Sequence, residues 1–138
     1  MERLFERLKS ADRALNTFDE LVGITEPSAI ERDAAIQRFE YSFESCWKAA
    51  KHYLYKVEGI DVGSPKGVIR SSREVGLFSE EDTILGLNMV DHRNLTVHTY
   101  NEELALEIFA NLPQYYQLLR KWMELKVKYE SALNKLLK

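Results

Sequence analysis

Apolar residues recur at steps of three and four along nearly the whole chain. Leu4, Leu8, Ala11, Leu15, Phe18 and Val22 form one stripe, and Glu2, Arg3, Glu6, Arg7, Lys9, Asp12 and Arg13 fill the opposite side. That period predicts a helix, and Gly23 supplies its stop. A second stripe reads Ile36, Phe39, Phe43, Cys46 with Trp47, Ala50, Leu54 and Val57. Ser28, with Glu31 three residues on, has the form of a capping box at its start, and Gly59 closes it. Such a helix would be about 45 Å long, a length suited to a bundle. The break at residues 60–65 ends in Ser64 and Pro65, an N-cap and first helical position for a short helix to about Val75, stopped by Gly76.

Ser79 and Asp82 open the next helix, with Ile84, Leu85, Leu87, Met89 and Val90 as its apolar side, running into Arg93. The last helix begins after Tyr100, capped either by Thr99 with Glu102 or by Asn101. Leu104, Ile108, Leu112, Tyr115, Leu119, Trp122 and Lys126 mark one face of it, continuing to Leu133 and Leu137. Pro113 removes a backbone donor and crowds the carbonyl of Phe109, which predicts a kink. No strand-like alternation persists anywhere. The expectation is an all-α, single-domain protein spanning residues 1–138: an antiparallel, up-down four-helix bundle with one short extra helix. The competing arrangement is an open helical array that closes only as a dimer. The surplus of aromatic and aliphatic residues on long helices predicts a homodimer in either case.

Composition narrows the function. A net charge of −3 provides no global basic field, so nucleic-acid binding would need a local basic patch or a composite site. The single cysteine, Cys46, excludes an intramolecular disulfide and a cysteine-rich zinc site, and its apolar neighbours make it a buried hydrophobe. The start of the chain is charged and periodic, unlike a signal peptide, and no uncharged run reaches membrane-spanning length. A cytoplasmic protein without a membrane partner is expected. Gly-rich phosphate loops and the H-E-x-x-H, C-x-x-C and G-x-S-x-G motifs are all missing, so no metal or cofactor is expected. Nor is there the Gly-Ser plus paired-aspartate pattern with which a nucleotidyltransferase holds its metals.

The chemistry concentrates in residues 93–100, an R-x-x-x-x-H-x-Y string of Arg93, Asn94, Leu95, Thr96, Val97, His98, Thr99 and Tyr100. Arg93 is a permanent cation able to grip phosphate oxygens through two donors. His98 can give or take a proton near neutrality. On an unbroken helix the two would point about 140° apart. Two β-branched residues followed at once by cap residues predict that the helix ends between Arg93 and Tyr100. A turn there could bring His98 back toward Arg93, near the anion-favouring N-terminus of the next helix. Glu40 and Glu44, one turn apart beside Phe39, Phe43 and Trp47, are candidates to orient Arg93. Bland alternatives are ion pairs of Arg93 with Glu40 or Glu44 across the bundle, helix-surface pairing of those acids with Lys48, and simple packing of Tyr100. His52 reads as part of a solvated face, and His92 as a neighbour of the string at most.

The string, with Asn101-Glu102-Glu103 and a long amphipathic helix after it, resembles the HEPN superfamily. The closer similarity is to its branch of nucleotidyltransferase substrate-binding-like proteins, which includes HepT toxins. Three further stretches carry the same resemblance in the same order: residues 37–48 with Tyr53 and Leu54, residues 64–70, and residues 85–92 leading into the string. The resemblance implies a helical homodimer with the two copies of the string facing each other across an interface cleft. It implies a metal-independent endoribonuclease in which Arg93 holds the scissile phosphate and His98 is general acid or base. Asn94 matches the polar residue that often follows the motif arginine. Tyr100 matches the tyrosine that MntA-type nucleotidyltransferases, encoded nearby, modify with AMP to silence the toxin. The alternative implied function is a non-catalytic subunit that binds the nucleotide or other substrate of a two-component nucleotidyltransferase.

Overall fold

The computed structural model describes the backbone of residues 2–137. Its helices are α1 (Glu2–Val22), α2 (Ala29–Val57), α3 (Pro65–Glu74), α4 (Glu80–Leu95), a 3-10 turn (Thr96–His98), α5 (Glu102–Trp122) and α6 (Leu125–Leu137). Among the described residues there is no strand. None of the helices formed by the described residues is long and apolar enough to cross a membrane.

The ends form where the sequence places them. Ser28 and Glu31 close a capping box on α2, and Ser79 and Asp82 close one on α4. Ser64 caps α3, with Pro65 at its first position. Gly59 and Gly76 sit just past α2 and α3 with φ of 71° and 82°, the left-handed conformation that a glycine adopts without Cβ strain.

Contacts between helices give the direction of each. Thr17 meets Tyr41 and Glu20 meets Arg38, so α1 and α2 run antiparallel. His92 reaches Glu107 and Tyr115 while Asp82 reaches Lys121, so α4 and α5 are antiparallel as well. Helices α1, α2, α4 and α5 therefore form the up-down bundle. The parallel pair α2 and α5 packs through its middle: the Phe39 ring stacks on Tyr115 at 5.6 Å, with Phe18 and Phe43 at 6.2 and 6.3 Å. Cys46 is fully buried, and burial pushes its thiol pKa up, as a buried hydrophobe requires. Short α3 closes one end, where the Trp122 indole donates to Ser72 Oγ at 2.9 Å and Ser72 donates to the Val68 carbonyl at 2.8 Å.

Two expectations need correction. The inner face of α4 is Thr83, Gly86, Met89 and Val90, whereas Ile84 is exposed and Leu85 and Leu87 are only partly covered. Close packing on α3 sets this face: a Cβ on Gly86 would lie 3.0 Å from Ile69 Cγ2. The last helix is also two helices. The backbone tightens at Met123–Glu124, where Glu124 N–H donates to the Lys121 carbonyl at 3.1 Å and Val127 N–H to that of Glu124 at 2.9 Å. That turn shifts the register, so Leu125 and Tyr129 are buried and Lys126 is exposed. Helix α5 itself continues through Pro113 without a break.

Candidate functional site

The end of α4 is built by short polar side chains. Thr96, almost fully buried, donates from Oγ1 to the Arg93 carbonyl at 2.8 Å. This bond competes with continuation of the helix, and the chain tightens into the 3-10 turn Thr96–His98. Thr99 donates back to the Thr96 carbonyl at 3.2 Å, so it closes the turn instead of capping the next helix. Asn101 is the cap of α5, its Oδ1 accepting from Leu104 N–H at 3.2 Å, and its own N–H donates to the His98 carbonyl at 3.0 Å.

Arg93 is half-buried and faces α2. With Gln37, Glu40, Tyr41 and Glu44 it lines an open depression of about 350 Å³. Among the described residues no ion pair or hydrogen bond engages its guanidinium, although Glu40 and Glu44 share the depression. Glu44 is turned toward Trp47, whose Nε1 donates to it at 2.9 Å. Asn94 is exposed on the outer side of α4.

His98 and Tyr100 form a separate exposed pair. Their rings meet edge to face at 5.7 Å, with Nδ1 of His98 3.1 Å from the Tyr100 hydroxyl. Tyr100 is 84% exposed, which removes the packing alternative for its ring. With Nδ1 engaged, Nε2 of this exposed imidazole is the nitrogen available for proton exchange. His98 does not line the depression that holds Arg93. The helix end therefore offers a cation and an imidazole from one short segment, but a single chain does not gather them into one cavity.

The sequence reading undervalued His92. Its Nδ1 lies 2.5 Å from the Tyr115 hydroxyl and its Nε2 3.2 Å from Glu107, bridging α4 to α5 directly before Arg93. Burial, then Glu107, then Asp91, push the Tyr115 phenol up to about 12. No local pattern signals this network, because its members are joined only by helix packing. His52 also departs from expectation. It is half-buried and lines a groove with Arg7, Lys48 and Lys51. Burial, then Arg7, Lys56 and Arg3, lower its pKa. No group of three or more metal-ligating side chains is positioned to hold a metal ion among the described residues.

An up-down helical bundle whose fourth helix ends in an exposed R-x-x-x-x-H-x-Y turn defines a protein of the HEPN class. Residues 6–128 match the family described as nucleotidyltransferase substrate binding protein like, and the chain belongs to that family. It is 29% identical to the probable ribonuclease HepT of Haemophilus influenzae over 104 residues, covering 72% of this chain and 68% of the relative. A Thermus thermophilus protein of known crystal structure is 55% identical, with a TM-score of 0.81 over 83% of this chain and 96% of its own. A chain of the MntA–HepT toxin–antitoxin complex superposes with a TM-score of 0.75 over 93% of this chain and 99% of its own, at 15% identity.

The Tyr115 network predicts a pH signature. The unfolded chain ionises this phenol near 10, whereas the folded protein keeps it neutral up to about 12. Its contribution to stability is complete below about pH 10 and is lost as pH rises through about 12. Urea unfolding should therefore show stability falling less steeply over that range in Tyr115→Phe than in the parent protein. Equal slopes would contradict the assignment.

Proposed function

We propose that this protein is a HepT-type ribonuclease toxin, cutting RNA without a metal at a cleft between two copies of the chain. The observation that carries the reading is the broken helix end. It exposes His98 with Nε2 available and leaves the Arg93 guanidinium without a partner among the described residues. Exposed Leu95, Val97, Tyr100 and Leu106 supply apolar surface around that end for a second copy to cover. Arg93 of one copy holds the scissile phosphate, with Asn94, Glu40 and Glu44 in support. His98 of the other copy takes the proton from the ribose 2′-hydroxyl, whose oxygen attacks phosphorus. The bond from phosphorus to the 5′-oxygen breaks, and the leaving oxygen takes a proton from water as the imidazolium returns its own to solvent. The products are a 2′,3′-cyclic phosphate and a 5′-hydroxyl, with no net change in protons. The protein works in the cytoplasm, where its RNA target and ATP are found.

The likeness to the HepT relative and to chains of toxin–antitoxin complexes supports this reading. It also supports a small MntA-like nucleotidyltransferase, encoded nearby, as the silencing partner. The exposed Tyr100 phenol oxygen attacks the α-phosphorus of ATP bound to that partner, pyrophosphate leaves, and the phenol proton passes to solvent. The adduct crowds the contact between the Tyr100 oxygen and Nδ1 of His98, and the new phosphodiester charge competes with RNA for Arg93. The second reading, a non-catalytic subunit binding the substrate of a two-component nucleotidyltransferase, is favoured by the family's description and uses the same surface.

His98→Ala should reduce RNA cleavage and toxicity at least 100-fold, the scale of general acid–base catalysis, with helical content unchanged. Arg93→Lys keeps the charge but loses the two-donor fork, and cleavage should still fall steeply. A fully active His98→Ala protein would refute the acid–base role of His98, whereas a parent protein that cuts no RNA would leave the binding-subunit reading.

Incubation with the partner and ATP should add one or more adenylate units, measured by intact mass. Tyr100→Phe should take up none, yet keep its ribonuclease activity and escape silencing. An unchanged mass gain in Tyr100→Phe would exclude this tyrosine as the acceptor.

A further inference from the structure

A second surface of the chain has the chemistry of nucleic-acid binding. Arg7 on α1 and Trp47, Lys48, Lys51, His52 and Tyr55 on α2 line a groove of about 340 Å³, with Asp61 and Val62 at its rim. No ion pair neutralises Arg7, Lys48 or Lys51 among the described residues, and Asp61 is the one carboxylate in the lining. Burial, and after it Arg7, Lys56 and Arg3, lower the pKa of His52, so positive charge converges beside this ring as well. Tyr55 is 57% exposed and Trp47 half-buried, so an apolar ring face accompanies the cations. Lys51 Nζ already lies 6.0 Å from the Trp47 ring centre.

The groove connects with the site at Arg93. Arg7 and Lys48 also line a neighbouring depression of about 350 Å³, together with Arg3, Glu6 and Glu44. Glu44 in turn lines the depression that contains Arg93. Glu40, Glu44, Lys48, Lys51 and Tyr55 follow each other at steps of three and four along one face of α2. From Glu40 to Lys51 that face advances about 17 Å. The overall charge of −3 therefore conceals a basic half-face that begins at Lys48, one turn beyond Glu44 and the depression that holds Arg93.

We infer that this groove binds single-stranded RNA beside the scissile phosphate, with backbone phosphates on Arg7, Lys48 and Lys51 and a base stacked on Tyr55 or Trp47. The inference rests on the ribonuclease reading for its geometry, but the binding it describes can be measured without cleavage. Fixed cations beside aromatic faces suit an unpaired strand, because they contact backbone and base together without requiring a sequence. A duplex would hide its base faces from Tyr55.

The test is fluorescence anisotropy of the full-length protein with a labelled 2′-O-methyl oligouridine, which lacks the attacking hydroxyl, at a series of salt concentrations. Lys48→Ala with Lys51→Ala should weaken binding at least tenfold. It should also reduce the slope of log affinity against log salt by about 1.4, the loss of two phosphate contacts on a single strand. Tyr55→Leu should weaken binding about fivefold or more. Lys9→Ala with Lys126→Ala removes the same charge from another face and should change neither quantity. Equal losses in the two double variants would overturn the groove in favour of unspecific charge attraction. Unchanged RNA binding, with loss only of association with the nucleotidyltransferase, would overturn it in favour of a protein contact. Groove-dependent binding of ordinary RNA that is never cut would support the groove while refuting the ribonuclease reading.

Discussion

The Tyr115 side chain ties the candidate site to the core. Its ring stacks on Phe39 in the middle of the bundle, and its hydroxyl reaches His92, the residue before Arg93. Phe39 in turn precedes Glu40, which faces Arg93 across the open depression. One aromatic pair thus sets the spacing between the α2 and α4 walls of that depression. The stack contributes about 0.5–1.5 kcal/mol beyond the area it buries, and the part-buried hydrogen bond about 1 kcal/mol. More important than either magnitude is that both act at the junction of three helices, so the site cannot shift without disturbing the core.

The second constraint is the end of α4. A continuous helix would direct Arg93 and His98 to different sides. Thr96, buried and bonded to the Arg93 carbonyl, supports the tight turn that follows. Arg93 remains on the helix and faces α2, while His98 and Tyr100 stand out in solvent. A cation held against the bundle, an imidazole beyond the helix end and an exposed phenol beside it fit a surface meant to be completed by another molecule.

Much of this was legible in the sequence. The stripes of α1 and α2, the Ser28–Glu31 capping box, the Ser79 and Ser64–Pro65 starts and the glycine stops are local patterns of period and cap chemistry, and all form as read; Thr99 as the cap of the last helix does not. The break of the last helix at Met123–Glu124 was not legible, because neither glycine nor proline marks it and the apolar spacing runs through. The inner face of α4 was misread for a related reason: leucines look like core, yet α3 approaches at Gly86, where the missing side chain is what permits contact. The R-x-x-x-x-H-x-Y string and the helix end within it were visible. The role of His92 was not, since its partners lie 15 and 23 residues away and meet it only through packing.

The central claim is that Arg93 of one copy and His98 of another complete a single RNA-cleaving site. Cleavage by co-expressed, co-purified Arg93→Ala and His98→Ala chains tests it most directly. Random pairing makes half the dimers mixed, and each mixed dimer keeps one intact site of two. The account predicts recovery of about a quarter of the parent activity from two chains that are each inactive alone. A mixture as inert as either variant would contradict it.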